Sequence, residues 1–406
     1  MRYNSPSSSS RVQTINYKEN KEINQILPAV TVSNIEGCRS IAHTQLKIAT
    51  FNLFNYLEPP NAFYEFERIY SAEQWQKKQR WVAQYLREYQ PDIIGFQEVF
   101  STESLKELVA TQGYEYFSVV DQPQIIDDFI YKKPVVAIAS RYPIVDTTAV
   151  KPNAALAQTL GLTKDFSFSR KVLRATVEIP HIGNCDCYVV HFKSKRSMIE
   201  LDDKHLSPEK TIIESLKAQV AGGWGSTIQR GSEATLLMIS MLERREVTGH
   251  PMVLMGDFNN SLNDGVLSHL LTNTLRFVSR IDCDAYLAKY CLKDSWDLFQ
   301  MALANENNET NEENGVNDTD GSHLEINKEL NKELKAARTP THYFGGGGSV
   351  LDYILLSSEF DASYHDSLYQ VSAYDTYDRH LINPIFERDG ESTDHGIVLV
   401  TFTLRS

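Results

Sequence analysis

The chain reads as an α/β protein built on packed sheets. Two observations carry that expectation. Short apolar runs, too brief for helices and closing on polar residues, recur along the chain and alternate with longer stretches of helical period. In places such runs follow one another with no helix between them, so the strands do not all belong to one simple βα repeat. The 406 residues carry 42% hydrophobic and 10% aromatic side chains, enough for a sizeable core.

Taken in order, residues 1–44 are Ser- and Asn-rich, with mixed charge and little apolar period, and are expected to be a disordered tail ahead of a single domain over 45–406. Leu46–Phe51 is a strand that ends on Asn52. Ser71 and Gln74 have the spacing of a capping box that opens a helix running to Tyr89. Its Trp81, Tyr85 and Tyr89 fall on one stripe, a pattern of burial more than of base stacking. Pro91-Asp92 stops that helix, and Ile93–Phe96 is a buried strand delivering Gln97 and Glu98. Ser101 is placed to cap a short helix that closes near Gly113. Val135–Ala139, Leu173–Ile179 and Tyr188–Phe192 are further strands. Ser207-Pro208-Glu209 opens another helix, with proline at its first position. Gly222-Gly223 is expected to interrupt it, and a longer helix follows from about Ser226 to Glu246. Pro251–Asn260 reads PMVLMGDFNN: a buried strand whose end presents Asp257, Asn259 and Asn260. Residues 302–338 form a low-complexity acidic stretch in which nine acids stand against four bases, expected to be a solvated insertion with a short helix at its end. Val350–Leu356 and Ile397–Leu404 are the last strands.

The formal net charge of −13 argues against a surface given over wholly to nucleic acid, while leaving room for a local cationic groove. The five cysteines fit neither a paired disulfide framework nor a CxxC metal site. Cys185 and Cys187, at a strand start, read as packed thiols. The first residues lack the apolar segment of a secretory signal, and no stretch approaches the roughly 18 apolar residues of a membrane span. The expectation is a cytoplasmic protein; its oligomeric state is left open.

The polar residues at the strand ends share a chemistry. Asn52, Glu98, His191, Asp257 with Asn259, and Asp352 sit at or in strands, and Asp394-His395 just precedes the last one. Each has an ordinary explanation by itself, as a turn or a cap. Together, four carboxylates, two amides and two histidines form a hard-oxygen set suited to Mg²⁺, or to Mn²⁺, whereas zinc would call for more His or Cys. A histidine held by a carboxylate supplies acid and base near neutral pH. If the strand through His191 continues, period two places Lys193 and Lys195 on its side, as cations for a phosphate.

In this order the motifs TFNLFN (50–55), IIGFQEV (93–99), FSRKVLRATVE (168–178), VVHFKSKR (189–196), LMGDFNN (254–260), LDYILLS (351–357) and STDHGIV (392–398) resemble the endonuclease/exonuclease/phosphatase superfamily, with its DNase I-like fold. The resemblance spans Thr50 to Val398. It implies a four-layer sandwich, two packed mixed sheets flanked by helices, with the site at one edge, and metal-dependent hydrolysis of a phosphate ester by activated water. Carried over residue by residue, it makes Glu98 the principal metal ligand, with Asn52 and Asp394 beside it. It makes Asp257 the group that orients or deprotonates the water, and Asn259 and Arg170 phosphate contacts. His395 would face the phosphorus with Asp352 fixing its tautomer, and His191 would be the acid for the leaving oxygen. His191 and the HFKSKR stretch point to a nucleic-acid phosphodiester as substrate. The alternative is a phosphatase or phospholipase C-type enzyme for an inositol-phosphate or phospholipid headgroup, weakened because Ser349-Val350-Leu351-Asp352 stands where inositol phosphatases carry a Trp-Cys-Asp-Arg run. A dinuclear calcineurin-like phosphatase would need Asp-x-His and Gly-Asn-His-Asp/Glu runs, which the chain lacks. A non-catalytic scaffold would be expected to lose ligands or histidines that are all present.

Overall fold

A computed structural model describes residues 45–199, 207–274, 284–313 and 337–405. The tail expected over 1–44, and most of the insertion, lie outside those residues.

Two six-stranded sheets carry the fold, each mixed and each built around one parallel pair. In the first sheet Gln45–Tyr56 runs parallel to Ile93–Val99, and antiparallel strands extend the sheet on both sides. In the second, Gly183–His191 runs parallel to Met252–Asp257, again between antiparallel neighbours. Antiparallel strands can follow one another directly, which is why apolar runs succeed each other without helices in the sequence.

The alternation of side chains along the strands builds the layers. In Gln45–Tyr56, Leu46 and Ile48 belong to a core shared with Val189, Val253 and Met255 of the other sheet, while Ala49 and Phe51 turn to the opposite face. There they meet Trp75, Trp81, Val82 and Tyr85 of the helix Ala72–Tyr89, and Leu105 and Val109 of the helix Thr102–Thr111. The outer face of the second sheet, with Tyr188, Val190 and Leu254, is covered by Ala234, Leu237, Met238 and Met241 of the helix Pro208–Thr248. Helix, sheet, sheet and helix give the expected four-layer sandwich. Gly95 lets the sheets approach: a Cβ there would lie 2.9 Å from the Met255 sulfur.

The capping box forms as read, with Ser71 Oγ accepting from Gln74 N and Gln74 Oε1 accepting from Ser71 N. Trp81 and Tyr85 are core residues. Ser101 makes no side-chain cap; its hydroxyl accepts from Glu58 N instead. Cys185 and Cys187 are buried free thiols between the sheets. No described helix is long and apolar enough to cross a membrane.

Two expectations are corrected. Gly222-Gly223 does not break its helix, which runs without interruption from Pro208 to Thr248. Gly222 is there for close approach: the Met198 N–H donates to its carbonyl, and a Cβ would collide with the Ser197 hydroxyl. Arg338, at the end of the acidic stretch, is not solvated. It pairs with Asp294, donates to the Tyr374 hydroxyl at 2.7 Å and lies over the Tyr353 ring. A helix, Ser295–Glu313, leads into that region, and the short helix expected at its end lies outside the described residues.

Candidate active site

The two parallel pairs point their C-terminal ends to the same edge of the sandwich, so each sheet delivers two of the polar residues there. Asn52 and Glu98 leave the first pair, and His191 and Asp257 the second. Asp257 and Asp352 are register partners on adjacent strands.

Asp257 is the point of convergence. It is buried, and its Oδ2 accepts from Asn52 Nδ2 at 3.2 Å and Asn259 Nδ2 at 3.1 Å, and lies 3.4 Å from His191 Nε2. Its Oδ1 accepts from Asn259 N at 2.8 Å, a tight turn in which Asn259 adopts a left-handed φ of 54°. His395 Nε2 stands 4.0 Å from the same carboxylate, while its Nδ1 makes a 2.8 Å bond with Asp352 Oδ2. Thr393 ties this histidine to the first sheet, its hydroxyl donating to Asn52 O and accepting from His395 N.

The surroundings push these groups apart in protonation. Burial raises Asp257 to about 7, against the pull of His395. Burial alone would lower His395, but the Asp352 and Asp257 carboxylates override it and hold it well above 6.5. His191 is driven well below 6.5 by burial and by the charges of Arg170 and His395, and its Nδ1 is buried without a partner. At neutral pH the site therefore holds a neutral His191 and a cationic His395 on either side of Asp257.

Glu98 sits at a left-handed φ of 58° and accepts from Asn55 N at 3.0 Å. Burial raises its pKa, and so does the negative charge of Asp394. Asp394 Oδ1 and Asn55 Oδ1 are buried with no partner. Opposed carboxylates and orphaned oxygens at one place fit a hard divalent cation, which would relieve the repulsion and satisfy the oxygens. Glu98, Asp394 and the Asn55 carbonyl oxygen offer the donors. Asn52, expected as a third ligand, gives its amide N–H to Asp257 and its oxygen to Phe54 N in this structure.

Of the phosphate contacts expected, Arg170 is partly exposed, donates to Phe192 O at 3.3 Å, and acts electrostatically on both Glu98 and His191. The strand ends at His191, so period two does not carry on to Lys193 and Lys195. The Lys193 ammonium bonds to the carbonyls of Ser194 and Arg196, whereas Lys195 and Arg196 are exposed. Asn259 spends its amide on Asp257 and on Phe192 O.

Three residues to which sequence reasoning gave no role belong to the site's construction. Buried Glu233 accepts from Ser169 N and Lys193 N, joining the loops that carry Arg170 and the basic run. Lys78 is buried on the helix Ala72–Tyr89 and donates to Ser392 O at 2.8 Å, fixing the turn that holds Asp394 and His395. His342 bridges to His395 with ring centroids 5.2 Å apart, and with Asp394 and His395 it forms a group able to hold a metal. An unusual lysine on an apolar helix stripe and an acid within the IQRGSEA run (228–234) were the visible signals among them; His342 arrives through tertiary folding alone.

The family model described as the Endonuclease/Exonuclease/phosphatase family matches residues 49–395. No curated protein matches the chain. Among solved structures, the human Nocturnin catalytic domain with bound sulfate anion is 14% identical, covering 89% of this chain and 96% of that one at a TM-score of 0.49. Humanized D. rerio TDP2 is 11% identical, covering 89% and 99% at 0.46. A family protein from Bacteroides thetaiotaomicron is 16% identical, covering 89% and 96% at 0.44.

Proposed function

The chain belongs to the endonuclease/exonuclease/phosphatase family, and from that membership we propose that it is a Mg²⁺- or Mn²⁺-dependent phosphodiesterase cleaving nucleic acid with an activated water. We read residues 45–406 as its one catalytic domain, acting in the cytoplasm. The observation that carries the reading is the convergence of His191, Asn52, Asn259 and His395 on the Asp257 carboxylate, with His395 backed by Asp352.

Water attack on a phosphodiester needs a base, a charge sink on the phosphoryl oxygens and an acid for the leaving oxygen. Asp257, oriented by Asn52 and Asn259, takes the proton of the attacking water as the new phosphorus–oxygen bond forms. His395, kept cationic by Asp352, donates to a non-bridging oxygen where negative charge grows. Arg170 holds another phosphate oxygen. The leaving oxygen takes its proton from His191 as its bond to phosphorus breaks. Burial holds His191 neutral in the free protein, and an incoming phosphate raises its pKa by placing negative charge beside it. Glu98 and Asp394, with Asn55 and Asn52 beside them, would hold a divalent cation, which when bound would supply Lewis-acid neutralisation of the phosphate charge. Exposed Lys195 and Arg196 beside the site favour a polyanionic strand as substrate.

The test is hydrolysis of plasmid DNA, RNA and bis-p-nitrophenyl phosphate with Mg²⁺ or Mn²⁺, by the native protein and Asp257→Asn. Activity in the native protein that EDTA removes and Asp257→Asn lacks is the expected result. Full activity of Asp257→Asn would overturn the assignment of the base. Cleavage of phospholipid or inositol-phosphate headgroups, with none of DNA or RNA, would replace the substrate class.

A further inference from the structure

The helix Pro208–Thr248 is 41 residues long, about 60 Å at 1.5 Å per residue, and only its second half lies on the outer core of the second sheet. Its first half touches the rest of the protein through small residues, Ala218, Gly222 and Ser226, packed on the 196–199 loop. On the opposite side a continuous apolar ridge faces outward. Ile212, Leu216, Val220, Trp224 and Ile228 recur at every fourth residue, with Ile213 beside them, and they are 43–69% exposed. Such a helix face draws its stability from packing, and nothing among the described residues packs on it.

From this ridge we propose that the chain forms a symmetric dimer, two copies crossing through the first half of this helix. Six medium to large apolar side chains at this exposure leave on the order of 700 Å² of surface, close to the ~800 Å² per partner of a stable interface and beyond what monomers ordinarily leave open. An i, i+4 ridge is self-complementary: set into the grooves of a second copy, it crosses at about −50° with Val220 near the two-fold axis and Leu216 facing the partner's Trp224. Charge selects this occupant over a lipid or nucleic-acid surface. From Ser207 to Ile228 the charged residues are Glu209, Lys210, Glu214 and Lys217, a net of zero in a chain of net −13. A membrane-surface helix needs a basic polar face, and this one lacks it. A neutral apolar ridge lets two acidic molecules meet where they repel least. The dimer stands independently of the reaction proposed above, because its readout is mass and not turnover.

The experiment is light scattering after size exclusion, with sedimentation velocity, on the full chain over a wide range of concentration. The native protein is expected at twice the mass of one chain. Leu216→Glu combined with Trp224→Glu buries charge at the crossing and is expected to weaken the dimer by at least about 100-fold in Kd, with thermal unfolding of the monomer unchanged. Val145→Glu, an exposed apolar position away from this helix, on the strand Ile144–Ala149, is expected to leave the dimer intact. A native protein that stays monomeric, as it would if residues 1–44 covered the ridge, overturns the proposal. So does a dimer indifferent to the double substitution, or a native monomer that floats with phosphatidylcholine vesicles through these two residues.

Discussion

Replacing Asp352 by Asn tests the arrangement most directly, because it removes a charge without touching substrate or changing size. Asp352 is fully buried and meets His395 Nδ1 at 2.8 Å. Two unit charges at 2.8 Å in an effective dielectric of about 20 interact by roughly 6 kcal/mol. The Asn carbonyl still accepts the Nδ1 proton, so about half of that attraction is kept and ~3 kcal/mol of transition-state stabilisation is lost, about 10²-fold in kcat. Steady-state hydrolysis of bis-p-nitrophenyl phosphate at saturating Mn²⁺ reads this as a fall in kcat with KM nearly unchanged. The same substitution has a pH signature in stability. His395 is held above its ordinary 6.5 in the folded state, so the contribution of its pairing is fully present below pH 6.5 and disappears as pH rises through the folded pKa. The stability gap between native protein and Asp352→Asn, from urea unfolding, is therefore expected to be widest below pH 6.5 and to close on the alkaline side. A kcat within threefold of native in a folded Asp352→Asn protein, or a loss confined to KM, would refute the role given to this pair.

Three other outcomes follow from the same geometry. Mn²⁺ at 100 times its Kd is expected to stabilise the native protein by about 2.7 kcal/mol, and Glu98→Gln should abolish most of that shift in thermal unfolding; an equal shift in the variant would place the cation elsewhere. His191→Ala is expected to slow diesters with poor leaving groups by at least about 10²-fold while sparing nitrophenyl esters, whose leaving oxygen needs no proton; equal losses on both would remove its role as acid. Gly222→Ala is expected to destabilise by about 1–3 kcal/mol despite the better helix propensity of Ala, because the Ser197–Ile199 loop has no room for a Cβ, and urea unfolding beside Gly223→Ala, where nothing lies within 4 Å, separates packing from propensity.

The local grammar of the chain was legible. The capping box at Ser71, the proline start at Pro208, and the apolar runs leading to Glu98 and Asp257 depend on residues a few positions apart, and they form as read. The strand expected to end on Asn52 continues past an irregularity to Tyr56. Where the reading strayed, a tertiary contact had overruled a local preference. Gly222 breaks helices in isolation, yet here it serves a loop that arrives from residues 197–199. Lys193 looked like a phosphate-facing cation in an extended run, but the strand ends at His191 and the ammonium turns to its own loop.

What the sequence determined by itself was the set of elements and the inventory of polar residues at their ends, because hydrophobic period, caps and turn chemistry act over short stretches. Only the tertiary structure decided which of those residues meet and in what protonation state. Asn52 and Asp257 lie 205 positions apart and stand 3.2 Å from each other because two sheets align their parallel pairs at one edge. Asp257 near 7, His191 neutral and His395 cationic follow from burial and from neighbours that strand register supplies. His342 gains its place in the same way, through a contact that no local spacing encodes.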